Sequence, residues 1–388
     1  MKIATGCAVL AVCAAATAGA QDGNGTDRGG FIIQLGKDTL AVERFVATPD
    51  SIVGEMVARS PTTRRSTYVA HMDATGVLTT YRIHVVQAGH QPIDVDVDFR
   101  ARDSVRFTLT IGDKTQQKAG PHLTGVVVPV FEPGFATYMI GVRRALAAHR
   151  KRMPLVTYYP GGGDSYPGSL VQAAPDLVIL TTKDNAVRVR IDAQGHIVGV
   201  TDPGGTLQAV VTRIPSPDID QWQAQFVARD TQGKSFGTLS PRDTVRATVG
   251  GAHVMVDYGR PSKRGRAIFG GVIPYNVVWR TGANAATTFV VDHDMMLGDT
   301  KLPAGEYTLF SVPTADGWTL VVSKNTREWG TEYDSTADFA RIPMQTASAD
   351  LPVEMFTIRV EPQGADAAAL AFAWDTRVGR IALRPAGS

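Results

Sequence analysis

The sequence predicts a mainly β protein, with a curled antiparallel sheet and one amphipathic helix in the first half and an antiparallel β-sandwich in the second. Three observations predict this fold class. Apolar and polar residues alternate over short runs, which is the pattern of half-buried strands. Glycine, proline, aspartate and asparagine separate the runs, as they do at turns between strands. The 388 residues exceed the length of one typical domain, so two domains are expected.

The first twenty residues have the three parts of a cleavable secretory signal peptide. Lys2 provides the positive charge, residues 3–16 form an uncharged apolar stretch, and residues 18–20 are small, as at a cleavage site. We therefore expect a mature chain that begins near Gln21 and lies in the periplasm or outside the cell. Both cysteines of the chain fall within the signal, so the mature protein has neither a disulfide nor a thiolate nucleophile.

The charge balance argues against nucleic acid as a partner, and the hydropathy argues against a membrane-spanning segment. The chain has 39 Lys and Arg against 37 Asp and Glu, a net charge of +2, and the arginines are scattered among acidic residues. This gives no basic stripe for nucleic acid. No segment after the signal is apolar enough over about 20 residues to span a bilayer, so no transmembrane segment is expected in the mature chain. No cofactor motif is found, and we expect no cofactor.

The first domain is expected over residues 21–214. Its alternating runs place apolar residues on one face of each strand, and they cover residues 31–35, 38–42, 51–57, 79–85, 93–99, 177–180, 186–191 and 208–212. Turns are predicted at 192–195 and 202–205. Residues 134–152 differ, because apolar residues recur there every three or four positions, which predicts the amphipathic helix. A sheet with one helix to cover it is expected to curl around that helix as a half-barrel.

A linker at 215–238 separates this domain from the second. Pro215 and Pro217 open it, and a short polar helix is predicted around residues 221–224. The second domain follows at 239–388. It has seven short strands with turn residues between them, which is typical of a β-sandwich, at 244–249, 253–258, 287–291, 307–312, 318–322, 355–360 and 370–374.

Several motifs of the second domain occur in a fixed order. They begin with the polar and aromatic stretches 257–266, 273–275 and 278–284, and continue with 286–289, 302–309, 329–330, 354–356 and 374–376. At these residues the chain resembles the bacterial family known as domain of unknown function 2911, over roughly 239–385. The resemblance implies an exported β-domain without an assigned activity, and it carries over no catalytic residue. The first domain is similar only in element order to curled-sheet periplasmic lipoprotein carriers, which implies lipid carriage as one alternative.

The candidate binding residues lie in the loops of the second domain. Arginine supplies forked donors and aromatic rings supply stacking faces, a combination suited to an anionic or sugar-like ligand. The residues of this kind are Tyr258, Arg260, Arg266, Trp279, Arg280 and Asn284. The alternative is structural: the arginines pair with acidic side chains and backbone carbonyls and hold a long loop in place. A structure separates the two, because a site requires these residues to converge on a concave surface.

A ligand-binding protein without catalysis is the preferred function, and its ligand is a small molecule or a glycan. The alternative is a hydrolase or a metal-dependent enzyme, because His253 and Asp257 share one face of a strand and His293 ends a strand that could pair nearby. No metal-binding or hydrolase motif accompanies these three residues, and no metal is expected. The sequence sets neither the enzymatic status nor the oligomeric state.

Overall fold

The structure is a computed structural model, which describes residues 25–101, 103–149, 151–182, 186–201, 207–326 and 329–387. The predicted signal peptide at 1–20 and the predicted turn at 202–205 lie outside these residues. Strands account for most of the described chain and only two α-helices occur in it, so the mainly β prediction is confirmed. No helix within the described ranges is long and apolar enough to cross a membrane.

The first half forms one sheet of fifteen strands. Its strands are β1 (Asp27–Leu35), β2 (Asp38–Ala47), β3 (Ser51–Ala58), β4 (Arg64–Met72), β5 (Leu78–Gln87), β6 (Ile93–Asp98), β7 (Ser104–Ile111), β8 (Lys114–Pro121), β9 (Val126–Pro129), β10 (Met153–Tyr159), β11 (Asp164–Ala174), β12 (Leu177–Thr182), β13 (Ala186–Ile191), β14 (Ile197–Thr201) and β15 (Val210–Ile214). They lie in the order 8-7-6-5-4-3-2-1-15-14-13-12-11-10-9. Neighbours are antiparallel except β9 and β10, which are parallel.

This sheet curls around a helix, α1 (Tyr138–Ala147), as predicted. A twisted sheet of more than about ten strands seldom stays flat, because its twist accumulates from strand to strand. Arg143 and Arg144 of α1 donate to the carbonyls of Thr48 (2.5 Å) and Thr75 (2.6 Å), in turns of the β1–β8 half. The other side of α1 packs on β9, β11 and β12. The helix therefore fills the concave side of an open half-barrel.

The predicted helix boundaries, 134–152, are wrong at both ends. The chain before Tyr138 forms turns instead, and the backbone amides of Phe135 and Ala136 donate to the buried carboxylate of Glu43. At the other end, His149 takes a left-handed conformation with φ of 48°, which stops the helix.

The linker contains a longer helix than predicted, α2 (Ile219–Thr231). Asp218 caps its start by accepting a hydrogen bond from the amide of Gln221 at 3.0 Å. Ile219 and Phe226 are buried in a small cluster with side chains from the convex face of β2 and β3. The connecting segment is therefore packed on the half-barrel along this helix.

The second half is an antiparallel β-sandwich, as predicted. Six strands form one sheet in the order β16, β17, β18, β21, β22, β23, and four form the other in the order β20, β19, β25, β24. Their bounds are β16 (Arg242–Val249), β17 (Ala252–Gly259), β18 (Thr287–Val291), β19 (Met295–Leu297), β20 (Thr300–Leu302), β21 (Gly305–Pro313), β22 (Trp318–Ser323), β23 (Asp338–Pro343), β24 (Gln345–Pro362) and β25 (Ala368–Pro385). The inner faces of the two sheets share a hydrophobic core that is separate from the core of the half-barrel.

Candidate functional site

The structure places two of the six predicted binding residues in the sandwich core. Tyr258 has no exposed surface, and its hydroxyl accepts a hydrogen bond from the amide of Ile358 at 2.9 Å. Trp279 is also buried, with its ring stacked on those of Trp318 and Trp374 at 6.3 and 5.6 Å between centroids. Neither ring has a free face for a ligand, so a stacking role does not fit either position.

Arg260 is held entirely by internal partners. Its guanidinium donates to the carbonyl of Phe356 at 3.2 Å and to the hydroxyl of Thr357 at 3.0 Å, both on β24. It also pairs with Asp243 of β16 at 3.1 Å. The side chain thus ties the edge of one sheet to the edge of the other, which matches the structural alternative set out for these arginines.

Arg266 and its neighbour Arg264 fasten the sandwich to the half-barrel. Arg266 donates to the carbonyl of Leu207 at 2.8 Å, and burial lowers its pKa to about 10. The guanidinium of Arg264 lies 3.8 Å from the centroid of the Phe236 ring, and its carbonyl accepts from the amide of Lys37 at 3.2 Å. Sequence reasoning did not select Arg264, because its partners, the Phe236 ring, the Asp38 carboxylate at 3.6 Å and backbone groups, lie in other segments of the chain and leave no local motif.

Arg280 differs from the other predicted arginines. Trp279 and Ser311 exchange two backbone hydrogen bonds of 2.7 and 2.8 Å, so Trp279 points into the core and Arg280 points to the outer face, beside Phe310 of β21. The side chain of Arg280 is half-buried, and its guanidinium has no hydrogen bond or ion pair with any described residue. Burial alone lowers its pKa below the ordinary value.

Asn284 lies next to Arg280 and is joined to the segment 329–333. Its backbone is left-handed, with φ of 64°, and its carbonyl accepts from the amide of Gly330 at 3.2 Å. The following residue, Ala285, forms a bridge with Trp329, whose side chain is 52% exposed. Trp329 is therefore an exposed aromatic residue in the segment that contacts Arg280 through Gly330. It stands in a family motif of the sequence, although we did not predict it as a binding residue.

The segment 329–333 covers the outer face of the six-stranded sheet at this point. The ring of Tyr333 packs edge-on against that of Phe310, with centroids 4.9 Å apart. The backbone of Gly330 lies against the aliphatic stem of Arg280, where a Cβ atom would also come within 2.5 Å of the Asn284 carbonyl oxygen. A glycine is required at position 330 for this close approach.

Two hydroxyl groups near this segment are buried and have no hydrogen-bond partner in the described chain. One belongs to Thr308, two residues before Phe310 on the same face of β21 and 1% exposed. The other belongs to Thr331, which follows Gly330. Sequence reasoning missed both, because a threonine in or beside a β-strand reads as an ordinary strand residue.

The alternative group, His253, Asp257 and His293, is not brought together. His253 and Asp257 are four residues apart on β17, which separates their Cα atoms by about 13 Å. Asp257 pairs with Arg242, and His293 Nδ1 lies 2.8 Å from a carboxylate oxygen of Asp292. Among the residues that can be described, no three histidine, cysteine or acidic side chains form a group that could hold a metal ion.

Two solved structures resemble part of the chain at low sequence identity. No curated protein matches the chain. Among solved structures, a DUF1089 family protein from Pseudomonas aeruginosa is 15% identical, with a TM-score of 0.33, and the match covers 42% of this chain and 90% of that one. A β-barrel-like protein of domain of unknown function DUF1849 from Brucella abortus is 12% identical, with a TM-score of 0.35, and the match covers 48% and 95%.

The family comparison concerns the sandwich. Residues 240–382 match the family described as protein of unknown function (DUF2911), in agreement with the motifs found in the sequence. The match includes all six predicted binding residues, together with Thr308 and the segment 329–333. The C-terminal part of this chain, from residue 240 to residue 382, is therefore a domain of the DUF2911 family.

Proposed function

We propose that this is an exported ligand-binding protein without catalytic activity, and that it binds an anionic ligand on the outer face of the sandwich. Arg280 supplies the charge, Asn284 lies beside it, and Trp329 offers a ring face for the rest of the ligand. The observation that carries the proposal is the half-buried side chain of Arg280, whose guanidinium lacks a protein partner among the described residues.

The energetic argument rests on what burial costs a charged group. A charge that is removed from water is normally paired and hydrogen-bonded, because an unmet buried donor costs about 1–3 kcal/mol and a charged one costs more. Arg260 and Arg266 follow this rule with carboxylate and carbonyl partners. Arg280 has no such partner, and its guanidinium nitrogens keep contact with solvent on a face where a ligand carboxylate or phosphate could accept two parallel hydrogen bonds from them.

The two alternatives have less support. An enzyme built on His253, Asp257 and His293 needs these side chains in one place, and the strand register keeps the first two apart. Lipid carriage needs an apolar cavity inside the half-barrel, but α1 lies along the concave side and packs on it. Gly141 of α1 is so close to the sheet that a Cβ atom there would lie 3.2 Å from the Leu180 side chain.

The test is a thermal-shift measurement on the mature protein, from Gln21 onwards. The probes are acetate, benzoate, glucuronate, inorganic phosphate and sulfate, each compared with a chloride salt of equal ionic strength. At least one probe is expected to raise the melting temperature of the wild type, and Arg280→Met is expected to abolish the rise.

Arg246→Met is the matched control. Arg246 is an exposed arginine of β16 in the same sheet, and within the described chain it has no ion pair, so its loss removes the same charge elsewhere on the surface. The proposal is refuted if no probe stabilises the wild type, or if Arg280→Met responds to every probe as the wild type does.

A further inference from the structure

The outer face of the four-stranded sheet contains a groove that the Arg280 site does not use. Phe356 and Ile358 of β24 belong to the sandwich core, so Arg359 points to the outer face of the sheet. The groove lies on this face, with Ala371 and Ala373 of β25 at its base, and its volume is about 320 Å³. This volume is at the small end of the range for ligand pockets, which is about 300–1,000 Å³.

The groove exists because β24 contains residues that its partner strand does not match. From Ser348 to Thr357, β24 advances nine positions. The paired residues of β25, from Arg377 to Ala373, advance only four. The unmatched residues of β24 bulge away from the ladder, and such bulges bend a strand and are frequent beside binding sites. The bulged part of β24 and its regular part both line the groove.

The charged side chains that line the groove balance one another. Arg380 and Glu361 pair with each other at 2.8 Å. Arg359 and Asp350 are exposed, and neither has an ion pair or a side-chain hydrogen bond with another residue of the described ranges. A simple anion or a simple cation would meet one opposite and one like charge here. The two free groups instead match a ligand that carries a positive and a negative charge at once.

An apolar side chain lies at the rim of the groove. Leu351, in the bulged part of β24, is 78% exposed, more than any other large apolar side chain in the described ranges. Val353 also lines the groove and is partly exposed. A single exposed leucine is common on a protein surface, but this one borders a cavity together with a second apolar residue. The groove therefore provides an apolar contact near its two free charges.

We infer that this groove binds a small zwitterion with an apolar side chain, which is the chemistry of an α-amino acid or a dipeptide. Arg359 donates hydrogen bonds to the ligand carboxylate, and Asp350 accepts them from the ligand ammonium group. Leu351 and Val353 pack on the apolar side chain of the ligand. The inference goes beyond the proposed function, because it concerns a second ligand on the other sheet of the sandwich.

Isothermal titration calorimetry on the full chain tests the ligand chemistry with matched probes. L-Leucine and L-leucyl-L-leucine have all three features. Acetylation of either amino group removes the positive charge, amidation of either carboxyl group removes the negative charge, and glycine and glycylglycine lack the apolar side chain. At least one leucine zwitterion is expected to bind about tenfold more tightly than its acetylated and amidated forms, because each has lost a contact with a charged group. The tighter of the two zwitterions identifies the ligand as an amino acid or a dipeptide.

Three variants test the residues of the groove. Arg359→Met and Asp350→Asn are each expected to weaken binding of the better zwitterion about tenfold. Leu351→Ser is expected to weaken it about fivefold, through the loss of apolar contact. All three side chains are exposed, so each variant is expected to melt at the temperature of the wild type. The matched controls are Arg246→Met, Asp113→Asn and Val86→Ser, at exposed positions outside the groove, and they are expected to bind as the wild type does.

The two charge variants also differ in a way that a purely structural role would not produce. Asp350→Asn is expected to lose the preference for the free amino group over the acetylated one, because the carboxylate that recognises it is gone. Arg359→Met is expected to lose the preference for the free carboxyl group over the amidated one. Each variant should keep the preference that the other loses.

The inference is overturned if neither zwitterion binds the wild type, if the acetylated or amidated form binds as tightly as the zwitterion, or if the Arg359 and Asp350 variants bind as tightly as the wild type. Its failure is distinct from that of the proposed function. Arg280→Met is expected to keep zwitterion binding, and Arg359→Met is expected to keep the thermal shift with the anionic probes. Loss of zwitterion binding in Arg280→Met would place this ligand at Arg280 and would overturn the inference as well.

Discussion

Glu43 offers the sharpest test of how the half-barrel is held together. Its side chain is 1% exposed and lies inside the sheet. The carboxylate accepts hydrogen bonds from the hydroxyl of Tyr68 and from the amides of Phe135 at 2.8 Å and Ala136 at 3.2 Å. It therefore joins β2 and β4 to the segment that leads into α1.

Replacing Glu43 by alanine leaves these three buried donors unpaired. Each unmet donor costs about 1 kcal/mol or more, so Glu43→Ala is expected to lower the free energy of unfolding by at least about 3 kcal/mol. Glu43→Gln keeps the shape. One carboxylate oxygen of Glu43 accepts the hydrogen bonds from both backbone amides, and the carbonyl oxygen of glutamine can accept them in its place. The side-chain amide of glutamine can donate a hydrogen bond to the Tyr68 hydroxyl. This variant is expected to stay within about 1 kcal/mol of the wild type at neutral pH.

The dependence of the protein's stability on pH has a definite sign. Burial raises the pKa of Glu43, against the opposing effect of its three hydrogen bonds. A carboxyl whose pKa is higher in the folded state binds its proton more tightly there than in the unfolded chain. The stability of the wild type should therefore fall as the pH rises from the ordinary carboxyl pKa of about 4.3 towards the raised value, and level off above it. Glu43→Gln should lack this fall.

Urea denaturation of the protein, followed by circular dichroism between pH 4.5 and pH 8, measures both effects. The difference between wild type and Glu43→Gln at each pH isolates the contribution of the one carboxyl from those of all other groups. The reasoning is refuted if Glu43→Ala is as stable as Glu43→Gln, or if the difference between wild type and Glu43→Gln does not change with pH in the predicted direction.

Two further predictions concern the sandwich. Gly330→Ala places a Cβ atom against Arg280, so it should lower the free energy of unfolding by about 1–3 kcal/mol and reduce the thermal shift with benzoate or glucuronate. The control is Gly120→Ala on β8, where a Cβ atom meets nothing, and it should change neither quantity. Binding by Gly330→Ala equal to that of the wild type would contradict the packing described. Arg264→Ala removes the cation that stacks across the interface, so calorimetry should show the sandwich and half-barrel unfolding in more widely separated transitions. A single transition unchanged from the wild type would contradict this role.

The alternation of apolar and polar residues predicted strands well where one face of the strand is buried and the other is in water. β13 is the clearest example: its observed bounds, Ala186–Ile191, are those of the predicted strand, and its buried and exposed residues alternate. The long strand β24 shows the opposite. Its first half is largely exposed on both faces, and its pairing with β25 has two register irregularities. No apolar period marks residues 345–354, so only 355–360 was predicted.

The helix boundaries could not be predicted for a different reason. Residues 134–137 continue the apolar spacing of α1, and the sequence pattern contains nothing to stop a helix there. In the structure these residues form turns, and a carboxylate on β2, about ninety residues earlier, accepts hydrogen bonds from two of their backbone amides. A contact with a side chain so distant in the sequence leaves no trace in the local spacing of apolar residues.

The binding residues show the same limit. In the sequence, Arg260, Arg266 and Arg280 are equivalent: each stands in a loop near an aromatic residue. The partners that occupy the first two include the backbone carbonyls of Phe356 and Leu207, which any residue type could provide. The property that separates Arg280 is the direction of its side chain, and this follows from the pairing of Trp279 with Ser311.

The arginines of this loop therefore divide into two kinds with separate consequences. Arg260, Arg264 and Arg266 are held by partners within the chain, so their loss should lower stability, and the loss of Arg264 or Arg266 should also weaken the contact between the two halves. Arg280 and the groups around it all come from the sandwich, between β17 and β23, and none of their described contacts reaches the half-barrel. Loss of Arg280 should thus remove ligand binding while the interface stays intact, and loss of Arg264 should weaken the interface while binding persists. If the two variants lose different properties in this way, the loop contains a binding site and does not merely join two β units.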